Sequence, residues 1–245
     1  PELYTRGTPP RQYLPTLFDA VLFKDIVKRH KIRTPQRMED MALWLLSNPS
    51  CEITLNSLAQ STQVKSPLTA EKYLRHLEEA FLFFTIQRFS HKASERMASP
   101  RKAYSIDTGF VSAKGASSSP DLGKIYENAV AIEFFREQLS GACRLFYWKS
   151  PQKHEVDFVV RRGLRISELV QVCYDPSGKA KGREVRALLR AGRELSCNSL
   201  TVITHDYEAE EKESWFGIRG TIKYVPLWKW LLGRKAHGNG KPDRA

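Results

Sequence analysis

Nothing in this chain of 245 residues supplies the roughly 20 consecutive apolar residues that a helix needs to cross a bilayer, so no membrane span is expected. The phosphate-loop pattern G-x-x-x-x-G-K-[ST] is also missing, which excludes the chain itself as a P-loop ATPase. Cysteine is sparse: Cys51, Cys143, Cys173 and Cys197 lie far apart and form no Cys-x-x-Cys pair. That spacing argues against a zinc site and for buried, reduced thiols in a cytoplasmic protein. Neither an initiator Met nor a signal-peptide pattern is found at Pro1-Glu2-Leu3-Tyr4, which reads as the start of a processed or excised fragment. There is no internal repeat.

What is present is apolar enough to fold and strongly basic. A hydrophobic fraction of 41% with 11% aromatics excludes general disorder, and the length accommodates two ordinary domains. Lys and Arg number 39 against 27 Asp and Glu, a net charge of +12. The excess is shared evenly between residues 1–115 and 116–245. Such a balance favours a polyanionic partner, with nucleic acid first.

Over residues 11–31, Leu14, Leu17, Phe18, Val21, Leu22 and Ile26 recur with a helical period, leaving Lys24, Lys28 and Arg29 off the stripe. Thr34-Pro35 opens a second helix that ends at Asn48-Pro49. Residues 54–61 read as a short helix and Val64-Lys65-Ser66-Pro67 as a turn. A further helix over 68–80 places Ala70, Leu74, Leu77 and Phe81 inward. Residues 81–89 and 102–106 are strand-like around a polar loop, 90–101. Helix, short helix, turn, helix and a two-stranded wing are the order of a winged helix, whose second motif helix enters a groove of DNA. On its outward face the sequence places Thr69, Lys72, Tyr73 and His76, with Lys65 before it and Arg75 beside it; the wing adds Lys92, Arg96, Arg101 and Lys102. Basic groups there would neutralise phosphates, and hydroxyls would hydrogen-bond to them. A protein-interaction module has the same order of elements.

Lys114 to Pro120 is small, polar and breaker-rich, and marks a boundary between a helical and winged-helix domain over 1–115 and a second domain over 120–234. The second alternates helix 122–139, strands 144–149, 155–162 and 166–174, helix 183–196, strands 199–205 and 221–227, and a short helix 228–234, an α/β arrangement. Residues 235–245 read as a disordered tail. Two of these strands flank the turn Arg162-Gly163-Leu164-Arg165. A three-residue loop centred on Leu164 sets Asp157 opposite Gln171, with Cys173 about 6.6 Å further along the same face. Glu127 falls on the apolar stripe of helix 122–139 beside Val130, Ala131 and Phe134. A carboxylate there either faces a polar pocket, and so reaches the Asp157/Gln171 cluster, or pairs with a nearby basic side chain.

Glu127 in a helix, Asp157 in a strand and Gln171-x-Cys173 in the next strand resemble the E…D…(E/Q)-x-K pattern of the PD-(D/E)xK, restriction-endonuclease-like superfamily. The wider order is similar to the C-terminal region of prokaryotic AAA+ ATPases. The first half carries that likeness through Phe23-Lys24-Asp25-Ile26-Val27, Tyr73-Leu74-x-x-Leu77-Glu78-Glu79-Ala80 and Tyr104-Ser105-Ile106-Asp107-Thr108-Gly109. In the second half it rests on Tyr126-Glu127-Asn128, Tyr147-Trp148, Glu155-Val156-Asp157-Phe158 and Val225-Pro226-Leu227-Trp228. The resemblance implies a winged helix followed by a nuclease-like α/β domain with a mixed central sheet, and an ATP-binding ATPase module preceding residue 1. It further implies Mg²⁺ as cofactor, held by Glu127 and Asp157, which activates water for attack on a phosphate.

Two positions depart from the pattern. Gln171 is neutral and a weaker Mg²⁺ ligand, and Cys173 stands where the lysine would be. A thiol carries no fixed positive charge, and soft sulfur does not suit Mg²⁺. The sequence therefore predicts a DNA-binding C-terminal region of an AAA+ ATPase whose nuclease-like pocket of Glu127, Asp157, Gln171 and Cys173 is impaired. A metal-dependent DNA endonuclease, with Lys149 or Lys153 substituting near the metal, and a protein-interaction module of the ATPase are the alternatives.

Overall fold

A computed structural model describes residues 10–116 and 121–237 as a mixed α and β protein. Its contacts divide into two compact units, one of residues 1–88 and 92–132, the other of 89–91 and 133–245. Among the described residues no helix is long and apolar enough to cross a membrane.

The first unit opens with helix α1 (Pro10–Asp19), which continues as a π-helical stretch, Ala20–Val27. Phe18, Leu22 and Ile26 of this rod are buried against Met38, Met41 and Leu45 of α2 (Pro35–Ser47). Pro35 takes the first helical position, but Thr34 makes no side-chain cap because its hydroxyl is engaged with the Tyr73 hydroxyl at 2.7 Å. Strand β1 (Glu52–Ile53) leads into α3 (Leu55–Ser61), which a reciprocal Thr54–Ser57 capping box starts. Ser66 then caps α4 (Pro67–Glu79) by accepting from the Thr69 N–H at 3.2 Å. Strands β2 (Phe83–Arg88) and β3 (Arg101–Ser105) follow, in the lateral order β1-β3-β2, all antiparallel. The connection between β2 and β3 contains a short helix, α5 (Ala93–Ala98), and α6 (Thr108–Lys114) follows β3 with Asp107 as its cap.

Phe81, expected inside, is 55% exposed. The helix stops at Glu79 and Phe81 sits at φ 53°, so the chain turns out of the helical path before the apolar stripe reaches it.

Helix α7 (Leu122–Leu139) gives residues 122–132 to the first unit and 133–139 to the second. In the second unit β4 (Arg144–Lys149), β5 (Glu155–Arg162) and β6 (Arg165–Val172) form an antiparallel meander. Helix α8 (Gly178–Glu194) crosses over to β7 (Leu200–Thr204), which runs parallel to β6 and to β9 (Ile218–Pro226). Strand β8 (Ala209–Trp215) pairs antiparallel with β9. Val185, Leu188 and Ala191 of α8 are buried with Val159, Leu169, Leu200, Val202 and Ile222 in one core.

Strand β8 is absent from the sequence reading. Its Ala-Glu-Glu-Lys-Glu-Ser-Trp run has the charge of a loop, and a ladder to β9 holds it. Phe216 and Gly217, both at positive φ, close that hairpin in the handedness of a two-residue type I′ turn. The closing helix, α9 (Leu227–His237), extends into the stretch expected as tail. Residues 238–245, and 117–120 of the expected boundary, lie outside the described residues.

Candidate functional site

Asp157 on β5 and Gln171 on β6 are neighbours, both buried. The Asp157 backbone N–H donates to Gln171 Oε1 at 3.1 Å, and the Val172 N–H donates to Asp157 Oδ2 at 3.0 Å. The two side chains thus bracket the end of the β5–β6 ladder, each accepting from the other strand's backbone. The expected opposition of 157 and 171 is met by a different route. The turn is a two-residue one, Gly163-Leu164, closed by Arg162 opposite Arg165, and Gly163 at φ 60° permits it. A bulge between Val160 and Arg161 then adds one residue on β6, so that Phe158 pairs with Val170. Ser167, the extra residue, donates its hydroxyl to the Val160 carbonyl at 3.0 Å.

Cys173 lies on the same face, two residues beyond Gln171. Its thiol donates to the Asp175 carbonyl at 3.3 Å, and burial, reinforced by the Glu184 carboxylate, pushes its pKa up to about 11. It is neutral at pH 7 and supplies neither cation nor nucleophile.

Glu184, on α8, is a residue that sequence reasoning missed. Only 5% exposed, its carboxyl is held above the usual carboxylate range by burial, opposed by Arg183 and reinforced by Asp157 and Glu155. Arg183 donates to Glu184 Oε1 through Nε at 2.9 Å and Nη2 at 2.7 Å. The signal was available: Glu184 shares the α8 stripe with Leu188 and Ala191, at helical spacing. Lys149, a candidate stand-in for the missing lysine, pairs with Glu155 at 3.3 Å, while Lys153 is exposed in the β4–β5 connection.

Glu127 belongs to the first unit and pairs there with a basic side chain, the second of the two readings open to it. Its Oε1 accepts from Lys102 Nζ at 3.0 Å and from the Tyr104 hydroxyl at 2.8 Å. Asn128, wholly buried, accepts from the Ser105 N–H at 2.9 Å and donates to the Ser105 carbonyl at 2.8 Å. Tyr126-Glu127-Asn128 and the run beginning at Tyr104 therefore meet as a dock of α7 on β3.

These donors fit Mg²⁺ poorly. Asp157 Oδ2 and Gln171 Oε1 are engaged by backbone N–H groups, Glu184 is engaged by Arg183, and Cys173 is a neutral thiol. The arrangement ties two strands together, and no hydrolytic step is derived from it.

On α4 the outward face is narrower than the sequence suggests. Ala70, Tyr73, Leu74, His76 and Leu77 are all buried, because the helix packs inward over more than one stripe. Tyr73 thus reaches Thr34, and the His76 ring stacks on His30 with centroids 3.6 Å apart, so neither lies on the outward face. Lys102 is 3% exposed, since β3 is the central strand of the three and turns this side chain to Glu127. Lys65, Lys72, Arg75 and Lys92 remain exposed, and Thr69, Arg96 and Arg101 are half-buried. Arg75 lies 3.7 Å from Glu79, and Lys92 pairs with Glu95 at 3.1 Å. Leu68 and Met97 are also exposed, at 78% and 77%. Of the tryptophans in the second unit, Trp148 and Trp230 are buried, Trp215 is half-buried and Trp228 is exposed.

Two family models match the chain, each described as a domain of unknown function: DUF8612 over residues 1–120 and DUF4143 over 122–230. An uncharacterized protein of Methanocaldococcus jannaschii is 30% identical over 228 residues, covering 91% of this chain and 50% of that protein. An uncharacterized protein of Haemophilus influenzae is 29% identical over 169 residues, covering 65% of this chain and 39% of the relative. The chain thus spans half or less of the length of these relatives.

Proposed function

We propose that the chain is the DNA-binding C-terminal region of an AAA+ ATPase, with a winged helix in its first unit and an impaired nuclease-like fold in its second. The observation that carries the DNA reading is the exposed basic set of Lys72 and Arg75 on α4 with Lys65 in the turn before it. Helices α2, α3 and α4, a three-stranded antiparallel sheet and the β2–β3 connection have the order that a winged helix requires, and Lys92 extends the basic surface into that connection. In a chain of net charge +12, these groups supply the electrostatic footprint of phosphate contact.

The nuclease-like reading draws support from the mixed sheet and from Asp157 and Gln171 on adjacent strands. Impairment follows from the engaged oxygens and the neutral Cys173. An ATPase module elsewhere in the full protein agrees with relatives at least twice as long as the matched region. A cytoplasmic setting suits the four thiols, none of which is paired in a disulfide.

Binding of duplex DNA measured against salt tests the proposal. Affinity that falls steeply with salt is expected; no binding at low salt overturns it. Incubation with Mg²⁺ or Mn²⁺ and duplex, branched or single-stranded DNA tests the impairment, which cleavage abolished by Asp157→Ala would refute. The exposed Leu68, Phe81 and Met97 favour a second reading, a protein-interaction module. Under that reading, exchanging Leu68 and Met97 for polar residues changes association with a protein partner and leaves DNA untouched.

A further inference from the structure

His30, His76 and Glu79 are brought together in the first unit from the turn after the π-helical stretch and from the last turns of α4. We propose that they bind a divalent transition cation of the zinc class, with three protein ligands and a fourth position open to water. The site is independent of the DNA-binding and nuclease readings.

Geometry carries the inference. One oxygen, Glu79 Oε2, lies 3.3 Å from His76 Nδ1 and 3.9 Å from His30 Nε2, and the ligand atoms of all three residues fall within 4.8 Å of one another. Tetrahedral ligands about 2.0–2.2 Å from Zn²⁺ are themselves about 3.3–3.6 Å apart. The two carboxylate–imidazole separations need to close by no more than a few tenths of an ångström around an ion, and the two imidazole nitrogens, within 4.8 Å of each other, by up to about 1.2 Å. His76 and Glu79 are three residues apart on one helix, a spacing that sets both on one face. The two rings are stacked with centroids 3.6 Å apart, so the half-buried His30 ring must swing off His76 for both nitrogens to meet one ion. Two imidazoles and a carboxylate suit zinc, nickel or cobalt better than the hard Mg²⁺ and Ca²⁺.

The surroundings of His76 fix which of its nitrogens can bind the ion. The ring is 5% exposed, yet its Nε2 has no hydrogen-bond partner, so Nδ1 is the nitrogen through which it makes polar contact. Coordination through Nδ1 places the ring proton on Nε2. That buried proton lacks an acceptor, which weakens the site. Glu79 is half-exposed and His30 a quarter exposed at their side chains, leaving a route for the ion and its water. The expectation of no zinc site rested on the cysteines; these ligands include none, and His30 is remote in sequence from His76 and Glu79.

Equilibrium dialysis and calorimetry with Zn²⁺, and visible absorption with Co²⁺, test the site in the full chain. Glu79→Gln and His30→Ala are the variants, because their exposure lets the fold survive; His76→Ala opens a cavity and is not needed. Wild type is expected to take up one equivalent of Zn²⁺ and to give the intense visible bands of low-coordinate Co²⁺. Each variant, with its thermal unfolding intact, should lose affinity at least about tenfold, the cost that even an outer-shell change carries. No uptake by wild type, or equal uptake by wild type and both variants, overturns the proposal.

Discussion

Replacing Asp157 by alanine removes the oxygen that accepts from the Val172 N–H at 3.0 Å, at a position only 5% exposed. A hydrogen bond to a charged group is worth about 1.5–3 kcal/mol, and a buried donor left without its acceptor costs a similar amount. Asp157→Ala should therefore destabilise the protein by about 2–3 kcal/mol, and Gln171→Ala by about 1–2 kcal/mol, since it withdraws a neutral acceptor from the Asp157 N–H. Asp157→Asn keeps an oxygen in place and should cost less than either. Because the two side chains bracket the same strand ends, the double variant should cost less than the sum of the singles by at least about 0.5 kcal/mol. Urea unfolding followed by tryptophan fluorescence reads these differences as shifts in midpoint at constant slope. If Asp157→Ala leaves stability within about 0.5 kcal/mol of wild type, the bracket is not structural and the reasoning fails.

Glu184 has its folded pKa raised by burial, so the stability it contributes is complete below its ordinary value of 4.5 and is lost as pH rises through the folded value. Glu184→Gln should flatten that decline, gaining on wild type as pH rises from about 4.5 in pH-dependent thermal unfolding; identical profiles refute it. Cys173, pushed up to about 11, should resist iodoacetamide at pH 8 in the native protein and label readily once unfolded, as read by peptide mass spectrometry. Rapid native labelling contradicts the neutral buried thiol. Glu127→Ala withdraws the carboxylate from Lys102, whose side chain is 4% exposed, and should cost about 3 kcal/mol in chemical denaturation. Glu127→Gln, still able to accept from Tyr104, should cost less, and equal effects would remove the charge from the explanation.

Much of the fold was legible because the apolar periods are strong. The stripe through Phe18, Leu22 and Ile26, the Thr34-Pro35 start and the Ser66-Pro67 cap each announce a helix locally. The opposition of Asp157 and Gln171 was reached from the wrong loop length: a shorter turn and a one-residue bulge offset each other, and neither leaves a mark in the spacing. Strand β8 was illegible because four consecutive charged residues, Glu210 to Glu213, leave no apolar alternation between Ala209 and Trp215, which pack on the core. Tyr73, His76 and Lys102 looked like surface groups by residue type. Their burial depends on partners remote in sequence, Thr34, His30 and Glu127, which only the folded chain brings near. Glu184 was missed for the opposite reason, since its place on the α8 stripe was visible and its neighbours were not.

The account rests most heavily on the basic side of α4. Its most direct test is the salt dependence of duplex affinity for wild type and for a Lys65→Ala, Lys72→Ala, Arg75→Ala triple variant of unchanged stability. Each phosphate contact contributes about 0.9 to the slope of log affinity against log salt, so losing three should reduce the slope by about 2.7. A variant that binds DNA with the wild-type slope, or a wild type that does not bind at low salt, would contradict the account.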